Sequence, residues 1–141
     1  MKSLIHNSQF IIDYSTKATT QMTTLPPYQF THDMAVRDYE CDAARMVNNS
    51  VYLNYLEHAR HLFLRQQGID FQAWVDKGIA LVVIRIEIDY LWSLRSGDQF
   101  RIGINTERIS RLRFGMLQDV YRLPDLKEYV KDYYVNLDFK K

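Results

Sequence analysis

The stretch VRDYECDAARMVNNSVYLNYLEHAR, residues 36–60, decides the fold because two kinds of hydrophobic periodicity meet in it. Its first residues continue the β-type segment YQFTHDMA, which predicts a first strand that ends near Glu40. From Asn49 to Gln67 the apolar residues recur at spacings of three and four, which predicts a long amphipathic helix. Gly68 is the expected stop of that helix.

The rest of the chain predicts one short helix and four strands. The segment DFQAWVDKG indicates a second helix with Asp70 as its cap and Gly78 at its end. The segments IALVVIRIEIDYLW, QFRIGINTERI, RLRFGMLQDVYRL and EYVKDYYVNLDFK are rich in β-branched and aromatic residues. Short turns at Ser96-Gly97-Asp98 and around Pro124-Asp125 separate them, so we expect consecutive strands to be antiparallel neighbours. One long helix on an antiparallel sheet is an α+β arrangement.

Composition limits the function classes. The chain has 141 residues, 47% of them hydrophobic, which fits one domain with a real core. Its net charge of +1 argues against nucleic-acid binding, and no apolar run is long enough to span a membrane. Residues 1–27, ending at Pro26-Pro27, are expected to be a flexible extension, and residues 28–141 the folded domain. Cys41 is the single cysteine, which favours a reducing compartment such as the cytoplasm, with organelle import left open.

One acid and two amides lie where the helix begins. Asp42 is a common turn former, and Asn48 or Asn49 could simply cap the helix. The first N–H groups of a helix have no partner inside the helix, and they lie at the positive end of its dipole. They could polarise a carbonyl oxygen, while the carboxylate acts as a general base on water or as a nucleophile. The residues alone leave both interpretations open.

The segments VRDYECDAARMVNNSVYLNYLEHAR, QQGID and ALVVIRIEIDYLWSLRSGD resemble the hotdog-fold acyl thioesterases of the 4-hydroxybenzoyl-CoA thioesterase type. They look closest to the branch that acts on acyl-ACP and acyl-CoA, and the resemblance runs from Tyr28 to the C-terminus. It implies a long helix wrapped by a curved antiparallel sheet, in a homodimer or homotetramer with active sites between subunits. It also implies hydrolysis of an acyl-CoA or acyl-ACP without a metal or another cofactor.

The resemblance also implies roles for particular residues. Asp42 matches the catalytic acid, Asn49 matches the residue whose backbone N–H polarises the thioester carbonyl, and Asn48 is expected beside the substrate. Glu57 matches a helix glutamate and is a second candidate acid. The alternative for Glu57 is a surface partner of His61 or Arg60.

The chain departs from the family pattern at Arg45-Met46, where a glycine is usual. A cation there would favour an ionised Asp42 or tie it up in an ion pair, and the missing glycine could alter the loop. This departure supports an alternative function, a non-catalytic hotdog module that binds an acyl chain or a protein. A related hotdog dehydratase is a weaker option, because no histidine lies in the loop before the helix.

The remaining sequence predictions concern basic residues and residues of the types that bind metals. Arg95, Arg111 and Arg113 could bind the phosphates of CoA or the surface of an acyl carrier protein, or could simply form an exposed rim. Arg111 and Arg113 alternate with Leu112, so we expect the two arginines to share a strand face. The segment EHARH lacks the HExxH spacing of a zinc site, and Cys41 is expected to be a small core residue.

Overall fold

The structure, a computed structural model, describes residues 24–140. Strand β1 spans Phe30–Ala35, and a short 3-10 turn follows at Asp38–Glu40. Helices α1 and α2 span Asn49–Gln66 and Phe71–Asp76. Strands β2, β3, β4 and β5 then span Ala80–Tyr90, Gln99–Arg108, Arg113–Leu123 and Lys127–Lys140. The predicted extension, residues 1–27, lies outside the described residues apart from its last four, so the domain boundary stays a prediction.

Both helices have the boundaries that their sequence signals indicate. Asn48 Oδ1 accepts a hydrogen bond from the Ser50 N–H (3.0 Å) at the start of α1. Gly68 follows the end of α1 with a φ of +80°, a left-handed conformation that glycine adopts without strain. Asp70 caps α2 through a hydrogen bond from the Ala73 N–H, as predicted.

The five strands form one antiparallel sheet in the order β1-β3-β4-β5-β2. Helix α1 lies against one face of this sheet, and the expected α+β class is confirmed. In β3 the alternating residues Phe100, Ile102 and Ile104 are fully buried, as their spacing predicts. The core takes its side chains mainly from α1 and the three middle strands: Tyr52, Leu56, Ala59, Phe63, Phe100, Ile102, Ile104, Met116, Val120, Val130 and Val135.

A buried polar pair ties α1 to β4 inside this core. Arg60 Nη1 donates to Gln118 Oε1 (3.0 Å), and Gln118 Nε2 donates to the Leu56 backbone carbonyl (3.0 Å). Gln118 is fully buried and Arg60 nearly so. Buried polar groups need such partners, so this pair fixes how the helix sits on the sheet.

Two of our predictions about the strands are wrong. Strand β1 ends at Ala35 rather than near Glu40, because the chain turns into the 3-10 helix. Strands β2 and β3 are not neighbours, although a turn lies between them. The connection carries Leu94, which is fully buried and whose carbonyl accepts a hydrogen bond from the Val47 N–H (2.9 Å). Burial of this leucine draws the connection across the start of α1, and the Ser96-Gly97-Asp98 turn then leads into β3 beside β1.

Candidate functional site

Asp42 opens a tight loop between the 3-10 turn and α1. Its Oδ1 accepts hydrogen bonds from the backbone N–H groups of Ala44 (2.8 Å) and Met46 (3.2 Å). The Asp42 N–H donates to Met46 O (2.8 Å), which closes the loop. The turn-forming use of Asp42 is therefore present. The side chain is nevertheless exposed, and within residues 24–140 no donor is recorded for Oδ2, so half of the carboxylate is available to a ligand or water.

The first turn of α1 separates the two amides into different roles. Asn48 is the cap: its Oδ1 accepts from both the N–H (3.0 Å) and the hydroxyl (2.8 Å) of Ser50. The Asn48 carbonyl accepts from the Val51 N–H (2.9 Å). The Asn49 N–H has no recorded acceptor in the described part of the chain. It lies at the positive end of an 18-residue helix, where an anionic or polarised oxygen is stabilised.

Two tyrosines hold this helix start in place, and hydrophobic periodicity gave no reason to single them out. The Tyr52 hydroxyl accepts the Leu94 N–H (2.7 Å), and the Tyr90 hydroxyl donates to the Asn49 carbonyl (3.1 Å). The two rings meet edge to face with centroids 5.6 Å apart. Burial raises the pKa of Tyr52 to about 12, so its hydroxyl stays protonated at neutral pH.

Arg45 keeps the loop in the shape that a glycine would allow. Its φ is +60°, in the left-handed region that side chains other than glycine seldom adopt. The loop hydrogen bonds are formed nonetheless, including Arg45 N–H to Asp42 O (2.9 Å). Among the described residues no ion pair joins Arg45 to Asp42, so the carboxylate is not tied up in this way.

Glu57 lies on α1 more than two turns beyond Asn49. Eight residues at 1.5 Å each separate the two by about 12 Å along the helix axis. Glu57 Oε1 is 3.9 Å from His61 Nε2 and both side chains are exposed, so the surface pairing expected as the alternative is present. Glu57 therefore does not share the loop that holds Asp42.

The predicted phosphate-binding arginines divide into two places. Arg95 is paired in a β-bridge with Met46, so it lies beside the Asp42 loop. Arg111 and Arg113 lie beyond the other end of β3, about 30 Å along the strand from its first residue. Arg113 is 3.4 Å from Asp138, whereas Arg111 lies in the turn before β4. The expectation that Arg111 and Arg113 share a strand face is wrong, because the strand begins only at Arg113.

Comparison with known proteins agrees with this arrangement. The model of the thioesterase-like superfamily matches residues 36–134, which include the Asp42 loop, both helices, strands β2, β3 and β4, and the first half of β5. The chain belongs to the thioesterase-like superfamily. Its hotdog fold, expected from the sequence, is confirmed.

The superfamily membership is supported by individual relatives. The chain is 37% identical over 93 residues to the chloroplastic acyl-acyl carrier protein thioesterase ATL3 of Arabidopsis thaliana; the match covers 66% of this chain and 49% of that protein. The chain thus spans about half the length of this relative. The 1,4-dihydroxy-2-naphthoyl-CoA thioesterase Slr0204 of Synechocystis has a TM-score of 0.74 at 18% identity, over 78% of this chain and 80% of that one. A Thermus thermophilus thioesterase complexed with coenzyme A and Zn has a TM-score of 0.69 at 27% identity, over 82% and 86%.

Residues 24–140 of this thioesterase-like chain also bear on metal binding and on membrane insertion. No group of three or more metal-binding side chains converges there. No helix in that part of the chain has the length and hydropathy needed to cross a membrane. Cys41 is partly buried against the core, close to its expected place, and carries a free thiol.

A groove beside the site was not foreseen from the sequence. Glu40 Oε2 accepts hydrogen bonds from the Tyr55 hydroxyl (2.5 Å) and the Arg37 N–H (2.8 Å), and the Glu40 carbonyl accepts the Asn48 N–H (3.3 Å). Burial, together with the hydrogen bond to Glu40, raises the pKa of Tyr55 above its usual range. Through its hydrogen bonds with Tyr55 and Asn48, Glu40 joins the loop to α1. The groove has a volume of about 450 Å³ and is lined by Met34, Arg37, Tyr39, Glu40, Val51, Asn54, Tyr55 and His58.

Proposed function

We propose that this thioesterase-like chain is an acyl thioesterase that hydrolyses acyl-CoA or acyl-ACP to a free acid and a thiol. One observation carries the proposal. Within residues 24–140, a carboxylate oxygen of Asp42 has no recorded donor and the Asn49 N–H has no recorded acceptor, and the two groups lie at the two ends of one short loop. An acyl-transfer site needs an attacking or proton-accepting group and a donor for the carbonyl oxygen.

The chemistry follows from these two groups. The thioester oxygen accepts the Asn49 N–H, and the helix dipole supports the negative charge that develops on it. Asp42 takes a proton from water while the water oxygen bonds to the carbonyl carbon. The carbon–sulfur bond then breaks, and the thiolate leaves and is protonated. In the nucleophilic variant Asp42 bonds to the carbonyl carbon itself, the thiolate leaves, and water hydrolyses the resulting anhydride.

The thiol carrier is proposed from the relatives. The Arabidopsis relative is named an acyl-acyl carrier protein thioesterase, and the Thermus structure contains coenzyme A. Both carriers are therefore substrates to be tested. For the compartment we propose the cytoplasm, since a lone free cysteine fits a reducing environment, with organelle import as the alternative because that relative is chloroplastic.

The assembly that we propose is a homodimer, or a homotetramer made from two such dimers. Strand β2 is an edge strand, and its exposed residues include Val83, Ile84 and Ile86. An apolar edge of this kind invites pairing with another strand. In a two-fold antiparallel pairing of β2 with a second copy, the Ala80 end of one strand lies beside the Tyr90 end of the other.

This assembly would complete the phosphate-binding surface. Ala80 lies opposite Lys140 in the register of β2 and β5, and Arg113 lies opposite Asp138 in the register of β4 and β5. The turn that contains Arg111 is therefore at the Ala80 end of the sheet. Two-fold pairing would carry that turn to the helix start of the second copy, where it could bind the nucleotide phosphates of CoA.

The decisive test is replacement of the acid. In Asp42→Asn the amide oxygen can still accept the Ala44 and Met46 N–H groups, so the loop should fold while the basic oxygen is lost. We expect thiol release from a panel of short, long and aromatic acyl-CoAs and acyl-ACPs to fall at least about 100-fold.

Asp76→Asn is the matched control for that test, because Asp76 is an exposed carboxylate whose Oδ1 also accepts a hydrogen bond, from Gln72. Full activity in Asp42→Asn would remove Asp42 from the mechanism. Binding of acyl-CoA by the wild type without hydrolysis on any substrate would instead favour the non-catalytic module.

The variant Asn49→Pro tests whether the Asn49 N–H is the oxyanion donor. Proline lacks the N–H, is favoured at the first position of a helix, and requires an extended residue before it. Asn48 already has φ −64° and ψ 142°, so α1 should form normally. We expect kcat to fall about 100-fold or more. Asn49→Ala keeps the N–H and should remain active; equal activity of the two variants would exclude the Asn49 N–H as the donor.

A further inference from the structure

Two exposed arginines lie on the rim of the Asp42 loop. Arg45 is inside the loop, and Arg95 is on the connection between β2 and β3. The β-bridge between Met46 and Arg95 brings the connection against the loop, and Arg45 directly precedes Met46. Two guanidinium groups are thus carried by backbone that is fixed beside the candidate site.

Neither guanidinium group forms an ion pair in the part of the chain that the structure describes. Among residues 24–140 ion pairs are recorded for Arg37, Arg85, Arg101, Arg113 and Arg122, but not for Arg45 or Arg95.

The nearest acids along the chain form no ion pair with Arg45 or Arg95 among the described residues. Asp42 Oδ1 accepts loop N–H groups, Asp98 Oδ2 accepts the Arg95 backbone N–H (2.9 Å), and Asp38 accepts the Ser96 hydroxyl. The two cations are therefore available to an anion from outside the chain.

Arg45 also occupies its position at a cost. A left-handed conformation is unfavourable for a residue other than glycine, and glycine would avoid the strain. Neither packing nor an ion pair offsets this cost, since Arg45 is exposed and unpaired within the described residues. The Arg45 cation thus has no structural use among residues 24–140.

We propose that Arg45 and Arg95 together bind the phosphate group of the phosphopantetheine arm that carries the acyl thioester. This rests on the proposed thioesterase function. Guanidinium groups bind phosphate through paired, charge-assisted hydrogen bonds. The pantetheine arm separates the thioester from its phosphate, which suits a position on the rim rather than at the reacting atoms. The same phosphate is present in CoA and in an acyl carrier protein, so this pair recognises what the two carriers share.

The test compares two thioesters of one acyl group, acyl-pantetheine and acyl-4′-phosphopantetheine. We expect the wild type to have a KM at least about tenfold lower for the phosphorylated substrate, as loss of a charge-assisted hydrogen bond implies. In Arg45→Gln and Arg95→Gln the ratio of the two KM values should fall, and in the double variant it should approach one. Arg65→Gln is the control, because Arg65 is an exposed arginine about 24 Å from Asn49 along the axis of α1.

Three results would overturn the proposal. The first is a wild type with no preference for the phosphorylated substrate. The second is a loss of activity in the variants that is equal for acyl-pantetheine and acyl-4′-phosphopantetheine. A loss confined to acyl-ACP and absent with acyl-CoA would mean that the arginines contact the carrier protein, not the phosphate. Equal losses with both carriers support the shared phosphate.

A failure of the proposed function can be told apart from a failure of this site. If no thioester is hydrolysed, calorimetric titration with pantetheine and 4′-phosphopantetheine still tests the arginines. A preference for the phosphorylated compound that the double variant loses supports the site, and equal affinities contradict it.

Discussion

Single residues in the loop combine structural and chemical uses. Asp42 illustrates this, because one carboxylate oxygen holds two backbone N–H groups while the other has no recorded donor in the described chain. The sequence presented a turn former and a catalytic acid as alternatives. The geometry makes them compatible, since a carboxylate has two oxygens. The hydrogen bonds to Oδ1 hold the Asp42 side chain, and with it Oδ2, in one orientation relative to the loop.

The backbone strain at Arg45 leads to a prediction about stability. We expect Arg45→Gly to raise the free energy of unfolding by about 0.5–1 kcal/mol, because relief of the left-handed strain exceeds the extra entropy that glycine loses on folding. Urea unfolding of wild type and variant measures the difference.

Ala44→Gly is the control for Arg45→Gly. Ala44 is the exposed neighbour in the same loop and is not among the residues with positive φ, so glycine there should give no gain. A less stable Arg45→Gly protein would show that the guanidinium group makes stabilising contacts in the folded state.

The limits of the helices and strands were predicted better than the order of the strands in the sheet. The limits of α1 followed from apolar spacing, with Gly68 as its stop, and the strands followed from β-branched alternation. The pairing of β2 with β5 did not follow, because periodicity shows which face a strand buries but not which strand lies beside it. Contacts such as Tyr52 with Leu94, 42 residues apart, depend on that pairing and have no signature in the sequence.

An ion pair across β1 and β3 makes stability depend on pH. Asp33 lies opposite Arg101 and accepts two hydrogen bonds from its guanidinium group (2.6 and 2.8 Å). These bonds hold the pKa of Asp33 below its usual value of about 4. The pair therefore stabilises the fold above pH 4, and its contribution is lost as pH falls through the lowered pKa.

The variant Asp33→Asn tests this dependence. We expect it to be less stable than wild type by about 0.5 kcal/mol at pH 7, the size typical of an exposed pair. The two unfolding curves should converge once the pH has fallen below the lowered pKa of Asp33. Arg101→Gln should reproduce the same pattern, and a difference that stays constant between pH 7 and pH 2 would contradict the ionic origin.

At the scale of the whole molecule, the outer edge of β2, which no other strand of residues 24–140 covers, predicts association. Ile86 is 42% exposed and lies opposite Val135, which is fully buried, so its side chain is on the helix side of the sheet at the open edge. We expect Ile86→Lys to convert the assembly to monomers, because a desolvated lysine in a paired edge is costly. Light scattering or sedimentation velocity measures the mass.

Tyr39→Lys is the matched control for the edge. Tyr39 is 77% exposed, more than Ile86, but it lies on the 3-10 turn away from β2. The variant Tyr39→Lys should leave the mass of the assembly unchanged. A wild-type protein that is monomeric at micromolar concentration would contradict the proposed homodimer directly.

The hydrogen bond from Tyr90 to the Asn49 carbonyl joins two of these features. Tyr90 ends the strand whose outer edge is free, and Asn49 begins the helix that carries the unpaired N–H. A partner strand that shifted β2 would therefore act on the first turn of α1 through Tyr90, whose ring also meets that of Tyr52. If the proposed homodimer forms through β2, association would therefore act on the first turn of α1, which carries the proposed oxyanion donor, as well as cover apolar surface.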